Sequence, residues 1–178
     1  MKGAANTSSP LVGTENDIKV EMVCEMPHLI PTLADIWHGA LGEHYGPEYP
    51  RERLYELLLE HQNPRSIPTS MVALLGKEPV GMCVIRASDE FKPYIVPSLG
   101  AMSVRAEYRN HGIGAKLIRA AIKKTVEFGF SRLYLFTVDM TIVEWYERFG
   151  FQLTGYREWE NGHVSASMEM VIPQQGVA

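Results

Sequence analysis

The sequence holds two cysteines in 178 residues, Cys24 and Cys83, far from each other and from any histidine cluster. That scarcity excludes a disulfide framework and a cysteine-based zinc site, so both thiols read as small buried hydrophobes. His38 and His44, six apart, lack helical metal-ligand spacing, so no metal is expected. No apolar run approaches the ~20 residues a membrane-spanning helix needs. Residues 1–16 are small and polar, with no hydrophobic segment of the secretory kind, so a cytoplasmic location is expected. Internal repeats and low-complexity tracts are also lacking. What is present is ordinary for a globular chain: 46% hydrophobic and 21% charged residues. At this length one domain buries roughly 70% of the surface its unfolded chain exposes.

The net charge of −4 is small, but its distribution is uneven. Residues 105–132 carry seven basic side chains (Arg105, Arg109, Lys116, Arg119, Lys123, Lys124 and Arg132) against Glu107 and Glu127, a net +5. The remaining residues sum to −9. A basic segment in an acidic chain points to a local anionic ligand rather than to nucleic acid; a solvated helix face is the plainer reading of the same residues. The acidic remainder suits a cationic ligand.

Periodicity predicts an α/β chain. Alternation over 18–24 reads as a strand, and residues 27–41 and 50–62 as helices separated by a Gly/Pro-rich break. Runs at 71–75 and 80–86 flank Gly76-Lys77-Glu78-Pro79, a hairpin with a four-residue turn. Residues 88–97 form a loop and 99–104 another strand. A helix over 112–128 puts Ile113, Leu117, Ile118, Ala121, Ile122 and Val126 on one stripe and stops at Gly129. Beyond it come a strand at 133–138, a short helix at 142–149, and strands at 151–158 and 164–172 around Asn161-Gly162. Residues 1–16 and 174–178 read as tails of a single domain spanning 17–173.

The segment Arg109-Asn110-His111-Gly112-Ile113-Gly114-Ala115 follows a strand and opens the longest helix. Its glycines let the backbone approach a ligand, and the free N–H groups of a helix start favour phosphate. With the basic residues behind it, the segment points to a phosphate-bearing cofactor. A P-loop is excluded by the missing Gly-Lys-Ser/Thr. A dinucleotide fingerprint lacks its third glycine, because position 117 is Leu; Asp139 at the end of the next strand keeps that alternative open.

From Val104 to Leu117 the sequence resembles the acetyl-CoA motif of the GNAT superfamily of N-acetyltransferases, Val-x-Pro-x-x-Arg/Gln-x-x-Gly-x-Gly/Ala, with Ala106 in place of the frequent Pro. Asp139-Met140-Thr141-Ile142-Val143-Glu144-Trp145-Tyr146-Glu147-Arg148-Phe149-Gly150-Phe151 is similar to the family's Asn-x-x-Ala-x-x-x-Tyr-x-x-x-Gly-Phe block, with Asp139 for Asn and Ile142 for Ala. The resemblance covers about 18–172. It implies a mixed, mostly antiparallel central sheet flanked by helices. It also implies that acetyl-CoA is the co-substrate, that the backbone of Met102, Ser103 and Val104 holds the pantetheine arm, and that Asn110, His111, Gly112, Ile113, Gly114 and Ala115 hold the pyrophosphate. Arg109 opens that loop, and Lys116 or a lysine further along meets another phosphate. The implied reaction is direct acetyl transfer to a primary amine in a ternary complex, with Tyr146 as the acid for the leaving thiolate. A phenol of ordinary pKa, about 10, is protonated at neutral pH and can serve a thiolate in this way.

No base is assigned. Glu43, His44, Asp89 and Glu90 are candidates in loops, and loss of the proton to solvent is equally open. Trp37, Tyr45, Tyr49, Tyr156 and Trp159 are candidates to wall an acceptor pocket or simply to pack. The expected partner is a small-molecule or peptide amine acceptor, with no nucleic acid and no membrane; a homodimer is left open. The rival from another class is a non-catalytic acyl-CoA-binding sensor.

Overall fold

A computed structural model describes residues 17–45, 49–87, 96–158 and 162–173, with 43–45 described by their backbone alone. Seven strands form one sheet in the order β1-β2-β3-β4-β5-β7-β6: β1 (Ile18–Met22), β2 (Thr69–Leu75), β3 (Glu78–Arg86), β4 (Ser98–Val104), β5 (Arg132–Thr137), β6 (Gln152–Glu158) and β7 (Val164–Val171). Every neighbouring pair is antiparallel except β4–β5, which is parallel and joined through the helix Ile113–Glu127. The helices are α1 (Ile30–Tyr45), α2 (Arg51–Glu60), α3 (Ile113–Glu127) and α4 (Val143–Glu147).

Helices cover both faces, so the middle strands have no wet side. β2 and β3 read as near-continuous apolar runs because both faces are buried. One core, on the α3/α4 face, gathers Met71, Ile85, Leu99, Leu117, Ile118 and Phe151; the other, on the α1/α2 face, gathers Leu33, Trp37, Leu54, Leu58, Val72 and Val84. Burying each such side chain contributes about 1.5–3 kcal/mol. On α3 the buried set is Ile113, Leu117, Ile118, Ala121 and Thr125. That helix stops where Gly129 takes φ +84° and donates to the Val126 carbonyl, as its position after the stripe predicts.

Several boundaries differ from the periodicity. β1 gives way at Val23 to a 3-10 turn, and 27–29 is another, so α1 begins at Ile30. It then runs through Gly39 and Gly42 to Tyr45: glycine weakens a helix by only about 0.5–1 kcal/mol, which does not stop one already packed. The hairpin turn is two residues, Gly76-Lys77, because Gly76 adopts φ +62° and Leu75 pairs with Glu78. Pro79 is tolerated inside the ladder because Val80 beside it is bulged. Asn161, the expected tails at 1–16 and 174–178, Asp89, Glu90 and Trp159 lie outside the described residues, as do the side chains of Glu43, His44 and Tyr45.

Among the described residues no helix is long and apolar enough to cross a membrane, and no three His, Cys, Asp or Glu side chains converge as a metal site.

Candidate active site

β4 carries the site because it is fully paired on its β3 edge but only briefly on its β5 edge. Its ladder to β5 consists of Ser98 with Tyr134 and Leu99 with Leu135, and then stops. Past Leu99 the β5-facing backbone groups of β4 have no strand partner among the described residues. On the other edge, Ala101 and Met102 together stand opposite Cys83, with Gly100 opposite Val84 and Ser103 opposite Met82. This is a bulge, and Ala101 takes φ +49° to make it. A non-glycine residue held there costs free energy and tends to occur where backbone is re-aimed for function.

The splay opens a cleft of about 650 Å³. The 109–115 loop closes one end of it. Asn110 and Gly112 both adopt left-handed backbone, φ +64° and +76°, so the chain coils tightly before α3. The first backbone bond of α3 runs from Lys116 N–H to the Gly112 carbonyl at 3.1 Å, which leaves the amides of Ile113, Gly114 and Ala115 without acceptors inside the helix. Successive N–H groups at a helix start make a concave anion cradle.

Met102, Ser103, Val104, Arg109, Asn110, Gly112, Ile113, Gly114, Ala115 and Tyr146 all line this one cleft. His111 and Lys116 are placed elsewhere. The His111 Nδ1 lies 2.6 Å from the Arg109 carbonyl, so its ring folds back onto its own loop. The Lys116 ammonium donates to the Ile18 carbonyl at 3.1 Å and ties α3 to β1. Other members of the basic cluster are also engaged locally: Lys123 and Lys124 with Glu127, Arg132 with Glu169, and Arg119 over the Phe149 ring. The cluster is therefore largely a helix face held by its own pairs, and Arg109, bonded to the Val104 carbonyl, is its member at the cleft.

Tyr146 is 6% exposed, with its ring edge-on to Trp145 at 5.0 Å and to Phe151 at 5.9 Å between centroids. Asp139 also borders the cleft, but its carboxylate accepts from the Thr141 amide at 2.9 Å and hydroxyl at 2.6 Å, so it caps the turn into α4. The Ser103 hydroxyl is buried with no hydrogen-bond partner among the described residues. Such a group costs about 1–3 kcal/mol left unsatisfied. An open strand edge, an orphaned hydroxyl and a cradle of free amides together fit a long amide-containing ligand ending in phosphates.

Some functional features escaped the sequence reading. The bulge at Ala101 had a signal, a lone glycine at position 100 inside a strand. Gly114 serves packing as well as ligand approach: a Cβ there would stand 3.1 and 3.2 Å from ring carbons of Trp145. Tyr108 donates to Glu78 at 3.0 Å, a bond that raises its pKa, and Arg105 pairs with Glu78 and Glu107 beside it; the four side chains brace the end of β4 against the start of β3. Arg86, His163 and Ser165 line the cleft from β3 and the start of β7, and no local pattern marks them. Trp37 is buried on the sheet-facing side of α1 and Tyr156 is 65% exposed; neither lines the cleft.

The family model for the acetyltransferase (GNAT) family matches residues 30–151. No curated protein matches the sequence. Among solved structures, an aminoglycoside 6'-acetyltransferase type Ii aligns at TM-score 0.68 and 22% identity, covering 89% of this chain and 99% of that one. An aminoglycoside 6'-N-acetyltransferase complexed with coenzyme A aligns at TM-score 0.67 and 18% identity, covering 89% and 99%. A GNAT family acetyltransferase from Elizabethkingia anophelis, with acetyl-CoA bound, aligns at TM-score 0.62 and 18% identity, covering 88% and 99%. At those identities the neighbours show the fold alone. The family model, which spans more than half of the sequence, shows that this chain belongs to the GNAT acetyltransferases.

Proposed function

We propose that the protein transfers the acetyl group of acetyl-CoA to a primary amine of a small molecule or peptide, by direct attack within a ternary complex. One observation carries the reading: the bulged, half-paired stretch of β4 and the Tyr146 side chain border the same cleft. Acetyl-CoA supplies an activated thioester acetyl group when bound. The free amides of Ile113, Gly114 and Ala115 hold its pyrophosphate, Arg109 adds positive charge at the rim, and the open edge of β4 through Met102, Ser103 and Val104 takes the pantetheine amides. A backbone N–H at the bulge offsets negative charge developing on the carbonyl oxygen. Tyr146 holds a proton at its phenolic oxygen for the departing sulfur. The attacking amine must arrive neutral. Its proton leaves to solvent or to a base that is not assigned, and His163 is the one imidazole among the described lining residues.

Thiol release from acetyl-CoA across a broad amine panel tests the reading, run on the wild type and on Tyr146→Phe. Removing the acid is expected to lower kcat by about 10²–10⁴-fold with acetyl-CoA affinity retained. An unchanged kcat would remove Tyr146 from the chemistry. Cofactor binding with no turnover on any amine would favour the acyl-CoA sensor.

A further inference from the structure

Arg86 ends β3, opposite Ser98 of β4, and lines the cleft. Two surfaces fix its guanidinium. Its central carbon lies 5.9 Å from the centroid of the Trp37 indole, which is buried and therefore immobile. Gly100 lies against it on β4: a Cβ there would stand 2.7 Å from both the Cζ and the Nε of Arg86. The glycine leaves the space that the planar head occupies. Among the described residues no carboxylate reaches ion-pair distance of Arg86, whereas Arg51, Arg53, Arg105 and Arg132 each have one. His61, the buried imidazole in its electrostatic neighbourhood, is held neutral by burial and by the nearby Arg86 and Arg53, and offers no counter-charge.

A half-buried guanidinium that no described carboxylate neutralises is unfavourable unless something anionic arrives. Arg86 touches Gly100, the residue just before the bulge at Ala101. Strand rise is about 3.3 Å per residue, so an anion on Arg86 sits within one or two residues of the transfer point. Resting on the transferase reading above, we infer that the acceptor carries a carboxylate within a few bonds of its amine, as an amino acid does, and that Arg86 reads it. The planar fork of arginine matches a carboxylate bidentately. This reverses the cationic acceptor expected from the acidic remainder of the chain, because net charge describes long-range steering and not the sign of one pocket.

The test compares the common α-amino acids with their carboxamides as acceptors, in wild type, Arg86→Gln and Arg86→Lys. In parallel, the N-acetyl amino acids are titrated calorimetrically into each protein saturated with CoA. The wild type is expected to favour carboxylates over carboxamides by about tenfold or more in kcat/KM. Arg86→Gln, which retains a planar head on Trp37, should erase that preference mainly through KM, and Arg86→Lys should keep part of it. Carboxamides used as well as the acids, or a preference unchanged in Arg86→Gln, would overturn the inference. N-acetyl amino acids that bind through Arg86 while no amine is acetylated would uphold the anion subsite and sink the transferase reading. The absence of both that binding and the carboxylate preference would sink the subsite, whatever other amines are acetylated.

Discussion

Tyr146 is set by its neighbours more than by its own helix. α4 is only five residues long, and the edge-on rings of Trp145 and Phe151 hold the phenol at the cleft wall. The Tyr was legible from its place in a sequence block; the packing that orients it was not, because Phe151 lies outside α4. The same division runs through other residues. The glycines at 112 and 114 were legible as a local pattern, whereas the Trp145 ring over Gly114 and the Gly100 seat under Arg86 are tertiary contacts with no fixed spacing. His61 gives a pH prediction at this scale. Burial, chiefly, lowers its pKa from 6.5 to about 4. Between those values the unfolded chain holds more protons than the native one, so stability is full above pH 6.5 and falls as the pH drops toward 4. The loss attributable to this side chain is about 3 kcal/mol. Denaturant unfolding at pH 7 and pH 4.5 should show a smaller acid loss in His61→Gln than in the wild type; equal losses would remove His61 from the balance.

Among the elements, α3 was the most legible, since its stripe, its opening glycines and its terminal Gly129 agree with one another. Leu117 is fully buried in the middle of that stripe. Leu117→Ala should therefore cost about 2–5 kcal/mol, read as a lowered denaturant midpoint, and a loss below 1 kcal/mol would mean α3 does not pack as described. β4 was legible as a strand but not as a bulged one. Its irregularity depends on the partner strands, where Cys83 faces two residues and β5 drops away after Leu99. Local preference alone ends α1 early, at its glycines, and stretches the turn after β2 as far as Pro79. In both places burial against a neighbour outweighs local preference, on the Leu33–Trp37 side of α1 and in the bulged ladder at Val80.

Across the molecule, the sheet order follows from one parallel pair. β4 enters the cleft, α3 returns along the α3/α4 face, and β5 comes back parallel to β4, so the loop at 109–115 and the splayed strand face the same opening. Sequence order alone displayed the strands and helices but not the splay, which is set by how far two non-adjacent strands stay paired. The basic segment likewise looked like one phosphate-binding surface, yet most of its cations meet Glu127, Glu169, the Ile18 carbonyl or the Phe149 ring, and the backbone carries the anion cradle. If the cleft is the acetyl-CoA site, the cradle at Gly112 must govern its affinity. Calorimetric titration of acetyl-CoA into the wild type and Gly112→Asp tests this most directly, with far-UV circular dichroism confirming that the variant is folded. The substitution adds a carboxylate at the cradle and about 1–2 kcal/mol of left-handed backbone strain. Micromolar binding to the wild type, lost in the folded variant, is the expected result; no binding to the wild type, or equal binding to both, would contradict it.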